Sequence, residues 1–275
     1  MSVGRFDTAS TTPPATDASN PSEHSTNDET ERTVVKAERW THAFVVRSAG
    51  GGAPTFIKRY LVPAWDAWRF VFGHARAARE LAAMRAMRSA GLPCVEPTGY
   101  AEERSPWFRL RWSEIRWVFE AGSDLGHALP DADPTERRRL CREVGALLAR
   151  IHDAGFLWGT AVPRNIIVTA SRDPALKLCD VPYAVRFDAS IHGSRMALID
   201  LFTAAGSRSR RRDFSRGERR RILLAYTRGD RVACRRVMRK LDRRSQLGHR
   251  TIRGLLRLLT SMRLPIPCLR VLRAR

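Results

Sequence analysis

Lys58, Glu80, Asn165 and Asp180 are of the types, and stand in the order, that phosphoryl transfer from ATP demands. A lysine must neutralise the nucleotide phosphates and an acid must hold that lysine. Oxygen donors must carry magnesium, and a further group must receive the acceptor's proton. Taken singly, each residue is ordinary, since a strand lysine or a helix glutamate is usually a solvated surface residue. Their meaning comes from the elements between them.

Lys58 falls in Thr55–Leu61 (TFIKRYL), the last of three strand-like runs after Thr33–Glu38 and His42–Arg47, with Ala49-Gly50-Gly51-Gly52 as the turn before it. Glu80 lies in a helical pattern over 75–90, where Ala78, Leu81, Ala82, Met84 and Met87 recur at helical spacing and Gly91-Leu92-Pro93 ends the run. Two further strands are expected within the Trp- and Arg-rich stretch 108–118. Asp133-Pro134-Thr135-Glu136 then opens a long helix with an N-cap, a first-position proline and a third-position acid. Leu140, Val144, Leu147, Leu148 and Ile151 share one face of it, and Gly155 follows the last turn. Asn165 heads Asn165-Ile166-Ile167-Val168 and Asp180 ends Leu176-Lys177-Leu178-Cys179-Asp180, two short strands in a hairpin. From about Ser194 the chain is helical and strongly basic.

That order follows the protein-kinase plan, and the chain resembles the lipopolysaccharide kinases that phosphorylate heptose or 3-deoxy-manno-octulosonic acid (Kdo) on a lipid anchor. The likeness is carried by FIKRY at 56–60, ARELAAMRAMRSAGLPCVEP at 78–97, LLARIHDAGF at 147–156, PRNIIV at 163–168 and LKLCD at 176–180, and covers about residues 40–230. It implies an α+β, bilobal protein-kinase-like fold with a small antiparallel-sheet N-lobe over 33–122 and a mainly helical C-lobe over 123–250. It also implies that Lys58 contacts the α/β-phosphates of ATP, that Glu80 pairs with Lys58, and that Asn165 and Asp180 carry magnesium.

Three departures from the family pattern stand beside these matches. The loop that normally reads His-x-Asp, whose aspartate accepts the substrate proton, here reads Trp158-Gly159-Thr160, and a threonine hydroxyl is no base near neutral pH. Asp153 is expected at the preceding helix terminus, and no other acid occurs before Asp173. Arg39-Trp40-Thr41 stands where a glycine-rich phosphate loop belongs, so Gly50–Gly52 reads as a hairpin turn between the second and third strands. Val181-Pro182 follows Asp180 in place of Phe-Gly.

The 275 residues carry 49 Lys and Arg against 28 Asp and Glu, a net charge of +21. Residues 206–275 hold 22 Arg and Lys240 against Asp213, Glu218, Asp230 and Asp242, which is +19 of that total. A block of this density implies an anionic partner. Leu255, Leu256, Leu258, Leu259 and Met262 alternate with Arg253, Arg257 and Arg263, so 251–275 reads as a basic amphipathic segment suited to an anionic membrane or a lipid-linked sugar. Nucleic acid is disfavoured, because no recognised binding motif accompanies the charge. Residues 1–32 form a polar, acidic tail expected to be disordered.

No apolar run is long enough to span a bilayer and no signal organisation opens the chain. The five cysteines are scattered without paired spacing, which fits a reducing cytosol. The expected place is therefore cytoplasmic, at the inner face of the cytoplasmic membrane. Three readings stay open: an ATP-dependent glycolipid kinase, an impaired pseudokinase acting as a nucleotide-binding regulator or scaffold, and a polyanion binder. The residues leave the oligomeric state undetermined.

Overall fold

The strand-like runs before the Ala-rich helix become one antiparallel sheet. In a computed structural model, which describes residues 31–48, 50–71, 73–171, 175–205, 214–243 and 269–270, the sheet comprises β1 (Glu31–Glu38), β2 (Thr41–Arg47), β3 (Thr55–Leu61), β4 (Pro97–Arg104) and β5 (Leu110–Val118). The strand order is β1-β2-β3-β5-β4. Only one strand lies within 108–118, where two were expected; its partner β4 begins at Pro97. PTGYAEER, with its proline, glycine and three charges, lacks an apolar alternation of its own and is ordered as an edge strand by pairing with β5. The disordered-tail expectation falls on 1–30, outside the described residues, whereas Glu31 and Arg32 belong to β1.

Alternation along β3 decides which way Lys58 faces. Phe56, Lys58 and Tyr60 share one face, where Phe56 stacks on Trp117 and Tyr60 is buried. Arg59 takes the other face, against Glu114 and the ring of Trp112. Helix α1 (Arg76–Ser89) covers the Lys58 face and is buried on nearly every side, its Ala77, Ala78, Ala82 and Ala83 letting it sit close to the strands. Such a helix carries Glu80, in its second turn, wholly out of solvent.

Beyond the sheet come β6 (Gly122–Asp124), α2 (Leu125–Asp131), α3 (Pro134–Asp153) and β7 (Phe156–Leu157). The hairpin β8 (Ile166–Thr169) and β9 (Leu176–Leu178) follows, then β10 (Val185–Phe187), α4 (Ala197–Ala205), α5 (Arg216–Tyr226) and α6 (Arg231–Arg243). The α3 start is as the sequence indicates: the Asp133 carboxylate accepts the Thr135 and Glu136 N–H groups at 2.7 and 3.0 Å. Gly145 lets α5 approach backbone to backbone, since a Cβ there would lie 2.1 Å from the Ile222 carbonyl oxygen. One continuous apolar core joins the sheet and α1, through Leu81, Met84 and Ile115, to α3 and the loop beyond it, through Leu148, Phe156 and Trp158. The lobes are also tied by backbone, Val95 N–H to Leu178 O at 3.0 Å and Leu178 N–H to Pro93 O at 2.8 Å.

Among the described residues no helix is long and apolar enough to cross a membrane. The basic amphipathic segment lies outside them except for β11 (Leu269–Arg270), which pairs with β10.

Candidate active site

A cleft of about 700 Å³ opens between the sheet and the β8–β9 hairpin. Val35, Ala43 and Phe56 line it from the sheet, Ile167 and Asn165 from the hairpin side, and Lys58, Arg76 and Asp180 complete it. Its first hairpin contributes the β1 side chains Lys36 and Glu38, which pair at 2.8 Å, where a glycine-rich loop would offer backbone amides. Gly50–Gly52 close the β2–β3 hairpin and do not line the cleft.

Lys58 Nζ sits 2.9 Å from Asp180 Oδ2, and Arg76 Nη2, from the first turn of α1, sits 3.2 Å from Asp180 Oδ1. Each carboxylate oxygen of Asp180 therefore has its own cation. Arg76 also lies 4.1 Å over the Tyr60 ring, which fixes the guanidinium in place. Burial would raise the Asp180 carboxyl, but Lys58 and Arg76 outweigh it and hold the group down at about 2. Folded-state depression from 3.8 makes this pairing a source of stability, about 2 kcal/mol, above pH ~4 that disappears as pH falls toward 2. The thermal midpoint of the parent should thus fall more steeply between pH 4 and 2 than that of Asp180→Asn. Parallel curves would show that the two ion pairs contribute nothing.

Glu80 is not in that pair. Its Oε2 accepts the Tyr60 hydroxyl at 2.6 Å, and its Oε1 is buried with no hydrogen-bond partner among the described residues. Burial first, then the charge on Asp180, push the Glu80 carboxyl above the usual range, against the pull of Lys58 and Arg76. Both cations on Asp180 thus also act on this carboxyl, one oxygen of which has no hydrogen-bond partner among the described residues.

Thr160, where a catalytic aspartate would stand, is only 5% exposed. Its hydroxyl donates to the Asp180 carbonyl at 2.7 Å, and Trp158 Nε1 donates to the same oxygen at 3.2 Å. Asp180 has φ 55, a left-handed backbone that costs a non-glycine residue about 1 kcal/mol or more. Two donors on one carbonyl hold it there. Asn165 Nδ2 donates in turn to the Thr160 carbonyl at 2.9 Å, leaving the amide oxygen of Asn165 for a ligand. Asp153 stands elsewhere, at the end of α3 against Arg228 and His192.

The loop itself is fixed from below by a residue the sequence reading did not single out. Asp200, wholly buried in α4, accepts the Trp158 and Gly159 N–H groups at 2.7 Å each. Gly159 has φ 77 with Tyr183 close by, so the turn needs glycine. His152 Nε2 lies 3.2 Å from Asp200, and His152 Nδ1 lies 3.0 Å from the Tyr226 hydroxyl. That hydroxyl accepts the Gly193 N–H at 3.1 Å. The Asp200 carboxylate can only accept, so Nε2 carries the ring proton toward it, and in the neutral ring Nδ1 accepts the Tyr226 hydroxyl. Arg76 and Tyr60 carry no signal in spacing or periodicity, and Asp200, a lone acid in an apolar helix segment, signals only its burial; each acts through a contact between distant segments.

The geometry thus offers two cations for phosphate, a carboxylate and an amide oxygen as hard donors, and no carboxylate at position 160. No curated protein sequence matches the chain. Among solved structures, WaaP in complex with acyl carrier protein superposes with a TM-score of 0.50 at 19% identity, over 82% of this chain and 87% of that one. The kinase PK-1 of the Cydia pomonella granulovirus gives a TM-score of 0.41 at 10% identity, over 58% of this chain and 53% of that one. The WaaP likeness agrees with the bilobal α+β fold expected from the sequence. With the family profile matching residues 37–231, most of its 275 residues, the chain belongs to the lipopolysaccharide kinase (Kdo/WaaP) family.

Proposed function

We propose that the cleft binds ATP with magnesium and that the protein acts on a heptose or Kdo sugar carried by an anionic lipid, at the inner face of the cytoplasmic membrane. The observation that carries this reading is the Lys58–Asp180–Arg76 cluster beside Asn165 in the cleft. Lys58 and Arg76 would receive phosphate oxygens. The Asp180 carboxylate and Asn165 amide oxygen are the hard donors that magnesium prefers, and the unmatched Glu80 Oε1 can take Lys58 when Asp180 turns to another cation. Bound magnesium would neutralise charge on the transferred phosphoryl group.

With Thr160 at the base position, catalysis would rely on positioning and charge neutralisation, which carry most of phosphoryl transfer, without the roughly 10²–10⁴-fold from a general base. A second reading, a pseudokinase that regulates or scaffolds through nucleotide binding, is favoured by the Thr160 hydroxyl being committed to the Asp180 carbonyl.

Nucleotide binding is common to both and is tested first. Saturating ATP with magnesium should raise the thermal midpoint by roughly 5–10 °C, and Lys58→Met should remove the shift. A parent protein with no shift overturns both readings together. Brisk transfer to a lipid-linked sugar by the parent would exclude the regulator.

A further inference from the structure

Four large aromatic side chains stand in solvent at one end of the sheet: Trp65 at 73% exposure, Trp68 at 66%, Trp107 at 80% and Phe108 at 67%. Trp65 and Trp68 belong to the segment between β3 and α1, Trp107 and Phe108 to the turn between β4 and β5. These segments are far apart in sequence and adjacent in space. Arg104 Nη1 donates to the Phe70 carbonyl at 2.6 Å and to the Phe108 carbonyl at 3.1 Å, stapling one to the other. Beneath them Val62, Phe70, Ala75, Ala78 and Leu110 form a small core of their own, so the aromatic tips project from a packed base. Single exposed apolar residues need no explanation; four neighbouring large aromatics do.

The charges around the tips are sorted. Asp66, Glu102 and Glu103 are each paired locally, with Arg69 at 2.6 Å, Arg104 at 2.8 Å and Arg111 at 2.8 Å. Arg109, in the turn itself, is exposed and makes no ion pair among the described residues. The surface therefore shows apolar tips and free guanidinium with its carboxylates neutralised. It is built from two loop crests joined by Arg104. Tryptophan favours the boundary between hydrocarbon and water, where its ring is apolar and its N–H is polar, and arginine beside it meets lipid phosphate.

We propose that this end of the N-lobe is a membrane-docking surface, with Trp65, Trp68, Trp107 and Phe108 entering the interface of an anionic bilayer and Arg109 meeting its head-group phosphates. The surface lies outside the nucleotide cleft and requires no phosphoryl transfer, so its failure and that of the kinase reading are separable.

The test uses the full chain with vesicles of phosphatidylcholine alone and of phosphatidylcholine mixed with phosphatidylglycerol. Tighter sedimentation with the mixed vesicles is expected. The combined variant Trp65→Ser, Trp68→Ser, Trp107→Ser, Phe108→Ser should bind them at least about tenfold more weakly while keeping the parent's thermal midpoint and ATP shift. Arg109→Glu should weaken binding in the same direction and reduce its dependence on salt. Undiminished vesicle binding by the combined variant would overturn the proposal. So would a parent dimer in sedimentation that the combined variant dissociates, because the patch would then belong to a second copy.

Discussion

Thr160→Asp is expected to raise single-turnover phosphoryl transfer from ATP to a lipid-linked sugar by roughly 10²–10⁴-fold, the usual worth of a positioned general base. The gain should come with a new acidic limb in the pH–rate profile, because the introduced carboxylate works only when ionised. The substitution also removes the hydroxyl that donates to the Asp180 carbonyl, leaving Trp158 Nε1 as that carbonyl's donor among the described residues. A hydrogen bond of this kind is worth about 1 kcal/mol net, so a small fall in stability accompanies the gain. Thr160→Val separates the two effects by deleting the hydroxyl without adding a base: it should lose the stability and gain no rate. If Thr160→Asp binds nucleotide as the parent does and transfers no faster, position 160 is not where the acceptor's proton leaves.

Asp200→Ala should be the most damaging single change in the loop's support, at about 3–5 kcal/mol in denaturant unfolding. It strips the acceptor from two buried backbone N–H groups, at Trp158 and Gly159, and leaves the His152 Nε2 proton facing nothing. Each unmatched interior donor costs about 1–3 kcal/mol. Asp200→Asn keeps one accepting oxygen and should recover part of the loss. A variant that unfolds at the parent's midpoint would mean that the Trp158–Thr160 turn is held by packing alone.

What the sequence discloses and what it withholds divide along a physical line. Strand β3 and helix α3 are written locally, in TFIKRYL and in the cap Asp133-Pro134-Thr135-Glu136, so their positions can be read before any fold is known. The absence of an acid at 160 is equally local. Strand β4 is not, because its order comes from the neighbour it pairs with. Nor is the partner of Lys58, which depends on where α1 sets down Arg76 and Glu80 relative to a hairpin a hundred residues later. Asp200 is hidden for the same reason: a carboxylate in the middle of an apolar helix segment announces burial, and only the fold shows which N–H groups it serves. The aromatic crest escapes composition altogether, since its four members are scattered over two loops joined by Arg104.

The two cations on Asp180 give the cleft an internal competitor for every anion that enters it. A ligand gains Lys58 and Arg76 only by taking them from a carboxylate already in contact with both. A singly charged anion replaces one such contact with another and has little to gain. In the proposed function, a polyphosphate that brings several charges and its own divalent counter-ion would exchange the whole set at once, with Glu80 free to receive the displaced lysine. If the cleft takes the nucleotide proposed above, selectivity for a chelated triphosphate over a stray phosphate or acidic side chain would follow from this resting charge balance.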